Sequence, residues 1–553
     1  MNGADVFVRE LVDRGVAFVT TLSGNGTEPF YAACQRAGLR LIDFRNEQAA
    51  SFAADAAARL SGRLAVCAVS AAVGHVNALI GVTNAWYDGA PVLLFSGGSD
   101  HGRTDQGKFQ DMDQIAVAGP LCKYAKLVDR PERISYYVGE AIAAATSGRP
   151  GPVHLTIPSD ILNRDTAEPA RRPAPASAEV RPLAAPDPGR VLEAAALIAR
   201  AERPVIVAGS GAFYARAAAA LDAVARATGA PVVVPIWDRG VIEKPSENYL
   251  GVIGAASGGP RVLPDADLVV LVGARIDYRV GYGESPEIAL DAKVIRIDVD
   301  AAELRQGREP DLAILADPAS ALRALAGALS QRPDFVPRET WLAEARRRLA
   351  EFQRPWSGPL RDGPTNGRQI VTALRPFLDE KTRFLIDGGN IGQWAHVLAD
   401  RYPSNWLTCG ASGVVGWGIA GAIAAKLVDP DRPVILLSGD GAIGFGLPEL
   451  ETAVRQNTPF VCVLADDRAW GSVASGQAKR PGPDKFVASR LGAVDYAKVA
   501  EGFGALGLRA GSPEEIAPAV RQGLASGRPT LVHVPTVMGG PHDPEGLGAA
   551  DRG

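Results

Sequence analysis

Short runs of apolar residues recur along the chain, and most of them end in Gly, Ser or Asp. Clear examples are LAVCAVSA (64–71), PVIVAGSG (204–211), PVILLSGDG (433–441) and FVCVLADD (460–467). Because these runs are continuously apolar rather than alternating, they predict strands of parallel sheets that are buried on both faces. Stretches with the apolar spacing of helices, such as VLEAAALIARA (191–201), lie between them. The alternation predicts an α/β fold with right-handed crossovers.

Two segments rich in proline and charge interrupt this pattern, at residues 163–189 and 331–367. They leave three regions, and each contains several of the strand-like runs. The sequence therefore predicts three consecutive α/β domains with parallel sheets, at about 1–165, 185–330 and 365–540. The tail at 539–553 is too polar and glycine-rich to pack by itself, so we expect it to fray or to act as a lid.

Composition removes several classes of function. The net charge is −4, so no basic field attracts nucleic acid. The first fifteen residues lack the features of a signal peptide, and no apolar run reaches the ~18 residues of a membrane span. The five cysteines are scattered without metal-site spacing, which favours buried free thiols in a reducing compartment. We therefore expect a cytoplasmic protein with no nucleic-acid or membrane partner.

The most informative stretch joins two predicted strands, at residues 434–471. Asp440 and Asp467 follow the ends of these strands and are 27 residues apart, about one βαβ unit, so both should reach the same edge of the sheet. Gly439 and Gly441 allow a ligand to approach the backbone closely, and the helix start that follows is an anion site. Because two carboxylates would repel a phosphate there, a divalent cation such as Mg²⁺ would have to lie between them. The residues predict a metal-bridged diphosphate site; the alternative is a turn aspartate and a helix-capping aspartate.

This motif resembles the signature of thiamine diphosphate enzymes. Five other segments resemble members of that superfamily related to acetolactate synthase, benzaldehyde lyase and benzoylformate decarboxylase. They are RNEQAASFAADAAARLSGRLAVCAVSAAVGHVNALIGVTNAWYDGAPVLLFSG (45–97), SGRPGPVHLTIPSDI (147–161), ERPVIVAGSGA (202–212), GARIDYRVG (273–281) and DGGNIGQWA (387–395). The resemblance covers nearly the whole chain in the same order. It implies a pyrimidine-binding, a central and a diphosphate-binding domain.

The resemblance implies thiamine diphosphate and Mg²⁺ as cofactors, with Ca²⁺ or Mn²⁺ as an alternative metal. Glu47 matches the glutamate that hydrogen-bonds the aminopyrimidine and promotes loss of the C2 proton; alone, it would be a solvated loop charge. Asp440, Asp467 and the backbone carbonyl of Ala469 match the metal ligands, although the family has Asn where Asp467 stands. Val415 matches the apolar wedge that bends the cofactor; its alternative is a core residue between glycines.

Further cofactor contacts around the diphosphate follow from the same resemblance. They are Asn390, Gly392, Gln393, Gly439, Gly441, Ala442, Gly471 and Ser472. The central domain of some relatives binds FAD or ADP without redox use, and GARIDYRVGYG (273–283) keeps part of that pattern. FAD is therefore left open but is not favoured.

Three residues of the first region match positions near the substrate in these relatives, and a fourth candidate follows one of them. Asn25 matches the position above the reactive carbon, and Gln110 matches a glutamine that faces the intermediate. Ser70 falls where benzoylformate decarboxylase has a proton-transferring histidine. His75, five residues on, is a candidate acid or base. The alternatives are a turn asparagine for Asn25 and a packed, hydrogen-bonded histidine for His75.

Two departures argue against acetolactate synthase itself. Gly476 stands where a tryptophan selects the second keto acid, and AAVG (71–74) replaces a glycine-rich turn. The lost bulk favours a carboligase, decarboxylase or lyase that acts on 2-keto acids or 2-hydroxy ketones through an enamine. Acetolactate synthase proper, a dione hydrolase, an acyl-CoA decarboxylase and a non-catalytic paralogue are the alternatives. Such a paralogue would be expected to lose Glu47 or Asp440, and both are present.

The resemblance also implies a subunit arrangement. Glu47 and Asp440 are 393 residues apart in different domains, and relatives bind the cofactor between the first domain of one subunit and the third domain of another. We therefore expect an obligate homodimer, assembled further into a homotetramer, with a small keto acid, aldehyde or acyloin as substrate.

A nicotinamide oxidoreductase is the rival from another class of enzyme. GSGAFYA (209–215) faintly resembles a dinucleotide-binding turn. It lacks the G-x-G-x-x-G pattern and the acidic residue that should follow about 20 residues later.

Overall fold

Three parallel sheets of six strands each form the core of the chain. The computed structural model describes residues 1–167, 183–254, 258–332, 335–360, 363–399, 401–481 and 485–543. Every strand pairing within the three sheets is parallel. The predicted α/β class, with three consecutive parallel-sheet domains, is confirmed. Parts of the predicted linkers and of the tail lie outside the described residues.

The first sheet has the order β2-β1-β3-β4-β6-β5. Its strands are β1 Phe18–Thr21, β2 Arg40–Asp43, β3 Ala65–Val69, β4 Val92–Gly98, β5 Ala125–Leu127 and β6 Val153–Pro158. Its helices are α1 Gly3–Asp13, α2 Glu28–Ala37, α3 Glu47–Ser61, α4 Val73–Asp88, α5 Gln114–Ala118, α6 Ile134–Thr146 and α7 Ser159–Asn163.

The second sheet has the order β12-β11-β10-β7-β8-β9. Its strands are β7 Pro204–Ala208, β8 Val232–Pro235, β9 Tyr249–Ile253, β10 Leu268–Val272, β11 Lys293–Asp298 and β12 Leu312–Leu315. The accompanying helices are α8 Pro188–Arg200, α9 Ser210–Tyr214, α10 Ala218–Thr228 and α11 Pro318–Ser330, followed by α12 Glu339–Gln353 before the third sheet.

The third sheet, β14-β13-β15-β16-β18-β17, repeats the topology of the first. Its strands are β13 Arg383–Asp387, β14 Trp406–Thr408, β15 Val434–Gly439, β16 Val461–Asp466, β17 Leu506–Arg509 and β18 Thr530–Pro535. Its helices are α13 Gly367–Leu374, α14 Asn390–Leu398, α15 Gly418–Val428, α16 Asp440–Ile443, α17 Glu449–Arg455, α18 Gly471–Ala478, α19 Tyr496–Gly502 and α20 Pro513–Ser526.

The first and third domains share one hydrophobic core, in which α3 packs against α4 of its own domain and against α15 of the third. Alanine fills seven of the fifteen positions of α3, and these small side chains let the neighbouring helices lie close. The helix begins where the Asn46 side chain accepts a hydrogen bond from the Gln48 N–H, and it ends at Gly62 with φ of 68°. The sequence of α3 therefore places Glu47 as the first residue of a helix that is packed against the third domain.

A buried charged network reinforces this contact. Arg59, on α3, donates from Nη1 to the backbone carbonyl of Thr408 (3.0 Å), and its Nε lies 3.3 Å from Oδ2 of Asp88. Asp88 in turn accepts from the N–H of Ala411 (3.0 Å). Burial raises the pKa of Asp88. Burial also raises the pKa of Asp55, whose Oδ2 lies 3.5 Å from Nη1 of Arg59, to about 7. The network ties the chain around 408–411 to the first domain.

Replacing Arg59 with leucine should lower the free energy of unfolding by roughly 3–5 kcal/mol, because two buried carboxyls lose the cation between them. Urea unfolding measures the loss, at pH 8, above the raised pKa of Asp55. Arg36→Leu is the matched control, since it removes an exposed pair with Asp5 and should cost less than about 1 kcal/mol. Equal losses in the two variants would contradict the role given to the network.

Candidate active site

A cleft lies at the carboxyl ends of three neighbouring strands, β13, β15 and β16. Soon after each strand a helix begins, at Asn390, Asp440 and Gly471, and all three of these residues line the cleft. The first N–H groups of a helix have no partner within the helix, and the helix dipole is positive at that end. Three helix starts at one cleft make a binding site for an anion such as a diphosphate.

Two glycines let the turns of this cleft pack closely. A Cβ on Gly471 would lie 2.6 Å from Oδ2 of Asp467, and a Cβ on Gly389 would lie 1.8 Å from Oγ of Ser472. Neither position has room for a side chain. The cleft therefore depends on bare backbone at these two points.

The two predicted carboxylates lie together at the cleft. Asp440 is only 3% exposed, and its Oδ2 has no hydrogen-bond partner among the described residues. Burial, followed by the charges of Asp467 and Asp466, raises the pKa of Asp440 to about 8. Burial likewise raises the pKa of Asp467 to about 6, although the Ala469 N–H donates to it. A buried carboxylate oxygen without a partner is costly unless a cation contacts it.

The third carboxylate of this region, Asp466, is used elsewhere. Its Oδ2 lies 2.9 Å from Nε2 of His533, and it does not line the cleft. Within the described ranges, no group of three or more His, Cys, Asp or Glu side chains could hold a metal ion. A metal between Asp440 and Asp467 would therefore need further oxygen ligands, which a backbone carbonyl and a diphosphate supply.

A second cluster lies at the carboxyl edge of the first sheet, around Glu47. Its Oε2 accepts a hydrogen bond from Nδ2 of Asn77 (2.8 Å). A Cβ on Gly74 would lie 3.1 Å from Oε1 of Glu47 and 2.3 Å from Oγ of Ser70. Glu47, Ser70 and the start of α4 are therefore immediate neighbours.

Two loops lie over the same edge and carry the predicted substrate residues. The Asn25 carbonyl accepts from the Ala71 N–H (3.3 Å), and Ser99, after β4, donates to the Phe109 carbonyl (3.4 Å). Gln110 has a left-handed backbone (φ 59°), and its buried Oε1 has no partner among the described residues. Backbone strain and an unpaired polar atom at one residue are typical of a functional position.

Comparison with known sequences agrees with this geometry. The N-terminal TPP binding domain of thiamine pyrophosphate enzymes matches residues 1–117, the central domain matches 191–325, and the C-terminal TPP binding domain matches 387–534. The probable acetolactate synthase large subunit of Methanocaldococcus jannaschii is 30% identical over 97% of this chain and 92% of that protein. The chain belongs to the thiamine pyrophosphate enzymes. Thiamine pyrophosphate is another name for thiamine diphosphate.

Other relatives of this thiamine diphosphate enzyme carry different activities in their names. The 2-hydroxyacyl-CoA lyase 2 of Homo sapiens is 30% identical over 96% of this chain and 90% of that protein. The oxalyl-CoA decarboxylase of Escherichia coli K12 is 29% identical over 96% of this chain and 94% of that protein. The prediction of a thiamine diphosphate-dependent carboligase, decarboxylase or lyase is confirmed at this level. Across the described residues, no helix has both the length and the apolar character that crossing a membrane requires.

The residues of the cleft fit the cofactor of this family. The buried, unpaired oxygen of Asp440 needs a cation to contact it. The free N–H groups at the three helix starts favour an anion. Ten of the predicted contacts line the cleft: Asn390, Val415, Gly439, Asp440, Gly441, Ala442, Asp467, Ala469, Gly471 and Ser472. They include all three predicted metal ligands.

Two predicted contacts lie away from the cleft. A Cβ on Gly392 would lie 2.9 Å from Ile386 of β13, so this residue faces the sheet. Gln393 faces the chain after β18, since a Cβ on Gly540 would lie 2.9 Å from its Oε1. Further lining residues, which no sequence motif indicated, are Gly367, Gly388, Gly389, Ile391, Trp394, Ala465, Trp470, Val473, Thr536, Val537 and Gly539.

His75 is fully buried rather than placed at the first-domain cluster. Its Nδ1 lies 2.9 Å from Oγ of Ser96, and its ring centroid is 4.6 Å from that of His154. Burial lowers the pKa of His75 to about 4. The structure therefore favours the second interpretation of His75, a packed and hydrogen-bonded core histidine that does not reach a substrate.

Gln114 is a residue of the first-domain site that no sequence motif indicated. Its Oε1 accepts from the Ala72 N–H (2.7 Å), and its Nε2 donates to the Gly97 carbonyl and to Oγ1 of Thr156 (both 3.0 Å). Ala72 has a left-handed backbone (φ 50°) directly before α4. Gln114 thus holds the turn that brings Gly74 against Glu47.

The carboxyl pair should make cofactor loading depend on pH. A carboxyl with a raised pKa favours the metal-free fold at low pH, and this contribution is lost as the pH rises through its folded value. The melting temperature of the metal-free protein should therefore fall as the pH rises from about 4, where an ordinary aspartate ionises, to about 8. In the folded protein the two carboxyls themselves ionise between about pH 6 and 8, the range set by Asp467 and Asp440. The rise in melting temperature on adding Mg²⁺ and thiamine diphosphate should grow over the same range, because the metal needs both carboxylates ionised.

Asp467→Asn is the control for this titration. The variant restores the residue usual in the family and removes one of the two titrating groups. Its melting temperature should vary less with pH than that of the unchanged protein. Stabilisation by the cofactors that is equal at pH 6 and pH 8 in the unchanged protein would contradict the assignment.

Proposed function

We propose that this chain is a Mg²⁺- and thiamine diphosphate-dependent carboligase, decarboxylase or lyase that acts on 2-keto acids or 2-hydroxy ketones. The observation that carries the proposal is the unpaired, buried oxygen of Asp440 beside Asp467, at a cleft where three helices begin. Asp440, Asp467 and the carbonyl of Ala469 hold the metal. The N–H groups at the starts of α14, α16 and α18 hold the diphosphate.

Glu47 activates the cofactor. Bound thiamine diphosphate supplies a nucleophilic carbon and an electron sink. Glu47 holds a proton at the pyrimidine ring, and the hydrogen bond from Asn77 fixes the orientation of its carboxylate. Asn25 and Gln110 orient the substrate carbonyl, and Ser70 takes part in proton transfer beside Glu47. His75 is left out of the catalytic set because it is buried.

The active enzyme is a homodimer, and two dimers form a tetramer. Among the described residues, the cleft is lined by the third domain alone, whereas Glu47 belongs to the first. Beside Glu47, α4 exposes Val73 (68%), Val76 (48%) and Ile80 (40%) on one face. Valines also stand exposed at the cleft, at Val415 and Val473. Apolar faces of this kind at both halves support their burial against a second copy.

The compartment is cytoplasmic. All five cysteines are free, and four of them are buried. Unpaired cysteines suit a reducing environment.

An acyl-CoA substrate is the second candidate. Two relatives are named for acyl-CoA chemistry at the same level of identity as the acetolactate synthase. Gly476 is exposed, and a Cβ there would meet nothing within 4 Å. Open space at this position supports a substrate larger than a short keto acid.

The test of function is CO₂ release from a panel of 2-keto acids, pyruvate first, with thiamine diphosphate and Mg²⁺, with and without an added aldehyde. Release that needs the aldehyde indicates a carboligase, and release without it indicates a decarboxylase. Glu47→Gln should keep cofactor affinity and lose on the order of 10²–10⁴-fold in turnover. Glu28→Gln, which changes an exposed glutamate at the start of α2, should keep the rate.

The outcome without release is equally informative. No CO₂ from any acid, together with cleavage of a 2-hydroxyacyl-CoA or a 2-hydroxy ketone, would replace the keto-acid substrate. Undiminished turnover of Glu47→Gln would contradict the activation role.

Mixing subunits tests the shared site. Glu47→Gln and Asp440→Ala are each expected to be inactive alone. If each site combines Glu47 of one copy with Asp440 of the other, every mixed dimer has one intact site, and random mixing restores about a quarter of the sites. No recovery in co-refolded or co-expressed mixtures would place both residues of a site in one chain.

A further inference from the structure

Asp387, the last residue of β13, is a buried carboxylate that the proposed mechanism has not used. It is 1% exposed and does not line the cleft. The Gly416 N–H donates to both of its oxygens (3.1 Å each), and the Gly418 N–H donates to Oδ2 (2.8 Å). Gly418 is the first residue of α15, so the carboxylate also caps the positive end of that helix.

The turn that Asp387 binds, at residues 416–418, is tightly packed. Gly416 has φ of 87°, and a Cβ there would lie 2.4 Å from the Cβ of Phe445. A Cβ on Gly418 would lie 2.7 Å from the Cβ of Asp387 itself. Trp417, between the two glycines, is fully buried. The three hydrogen bonds and this close packing leave one position for the turn.

Val415 precedes this turn and is the residue that the turn presents. It is 38% exposed and lines the cleft together with Asp440. Valine is short for the apolar side chain that bends the cofactor. The position of the backbone at Val415 therefore determines how far the side chain extends into the cleft. A displacement of about 1 Å in an active site can cost on the order of 100-fold in rate.

We propose that Asp387 is a positioning residue for cofactor activation: its carboxylate binds the amides of Gly416 and Gly418 and thereby fixes the depth at which Val415 enters the cleft. The proposal rests on the proposed function, because it assigns Val415 to the bend of thiamine diphosphate. Asp387 acts through Val415 and does not touch the cofactor.

The test uses Asp387→Asn in the full chain. Asparagine keeps the volume but offers one accepting oxygen where the aspartate offers two, so the amides of the turn lose an acceptor. Two quantities are measured without substrate, namely cofactor affinity by quenching of tryptophan fluorescence and the rate of hydrogen–deuterium exchange at C2 of the bound cofactor by NMR. We expect affinity within about threefold of the unchanged protein and exchange at least tenfold slower, because binding uses other residues.

Two comparisons separate positioning from general destabilisation. Val415→Ala should show the same pattern, and the double variant should exchange no more slowly than the slower single variant, because both changes act on one contact. Asp379→Asn is the matched control, since Asp379 also accepts backbone N–H bonds, from Lys381 and Thr382, in the same domain. It should exchange at the rate of the unchanged protein.

The outcomes are distinguishable. Normal exchange in Asp387→Asn, or additive losses in the double variant, would overturn the inference while the proposed function stands. Absence of thiamine diphosphate binding by the unchanged protein would overturn the proposed function itself. If Asp387→Asn does not fold, Gly416→Ala displaces the same turn against Phe445, and normal exchange in that variant would overturn the inference.

Discussion

The carboxylates at the ends of β15 and β16 are the constraint on which the site depends. Asp440 is almost fully buried with one unpaired oxygen, and Asp467 lies beside it. The helix starts around them attract an anion, yet the carboxylates repel one. A divalent cation together with a diphosphate would resolve the conflict. The cation would neutralise the carboxylates, and the diphosphate would accept hydrogen bonds from the helix N–H groups and supply oxygen ligands to the cation. A cation alone lacks oxygen ligands, and a diphosphate alone meets two negative charges, so we expect the two components to bind together.

The parts of this site that follow from local rules were predictable from the sequence. Asp440 and Asp467 follow continuous apolar runs, and the carboxyl ends of parallel strands meet at one edge. It was harder to predict which residues of each helix face the cleft. In α14, Asn390 and Trp394 are four residues apart and share the face that lines the cleft, whereas Gly392 and Gln393 are turned away from it. Knowing that α14 begins at Asn390 would have indicated Trp394 as a residue that lines the cleft.

Other features depend on contacts between distant parts of the chain. Thr536 lines the cleft because β18 lies beside β16. The order of strands in a sheet cannot be predicted from the local pattern of apolar residues. His75 has the residue type of an acid or base, but its environment comes from Ser96 of β4 and His154 of β6. Gln114 likewise acts on Ala72 across 42 residues of sequence. The type of a residue therefore indicates whether it could act in a site, but only the tertiary fold determines whether its side chain is buried or accessible.

Helix α3 links the fold to the proposed assembly. The twelve steps along the helix from Glu47 to Arg59 span about 18 Å at 1.5 Å per step. The Arg59 end is bound to Thr408 of the same chain's third domain, and close alanine packing along the helix leaves it little room to move. Moving Glu47 relative to the third domain would therefore break that interface. In the proposed dimer, the contact that stabilises the single chain would also hold Glu47 in place for the cleft of a second copy, so folding and dimerisation would depend on the same packed helix.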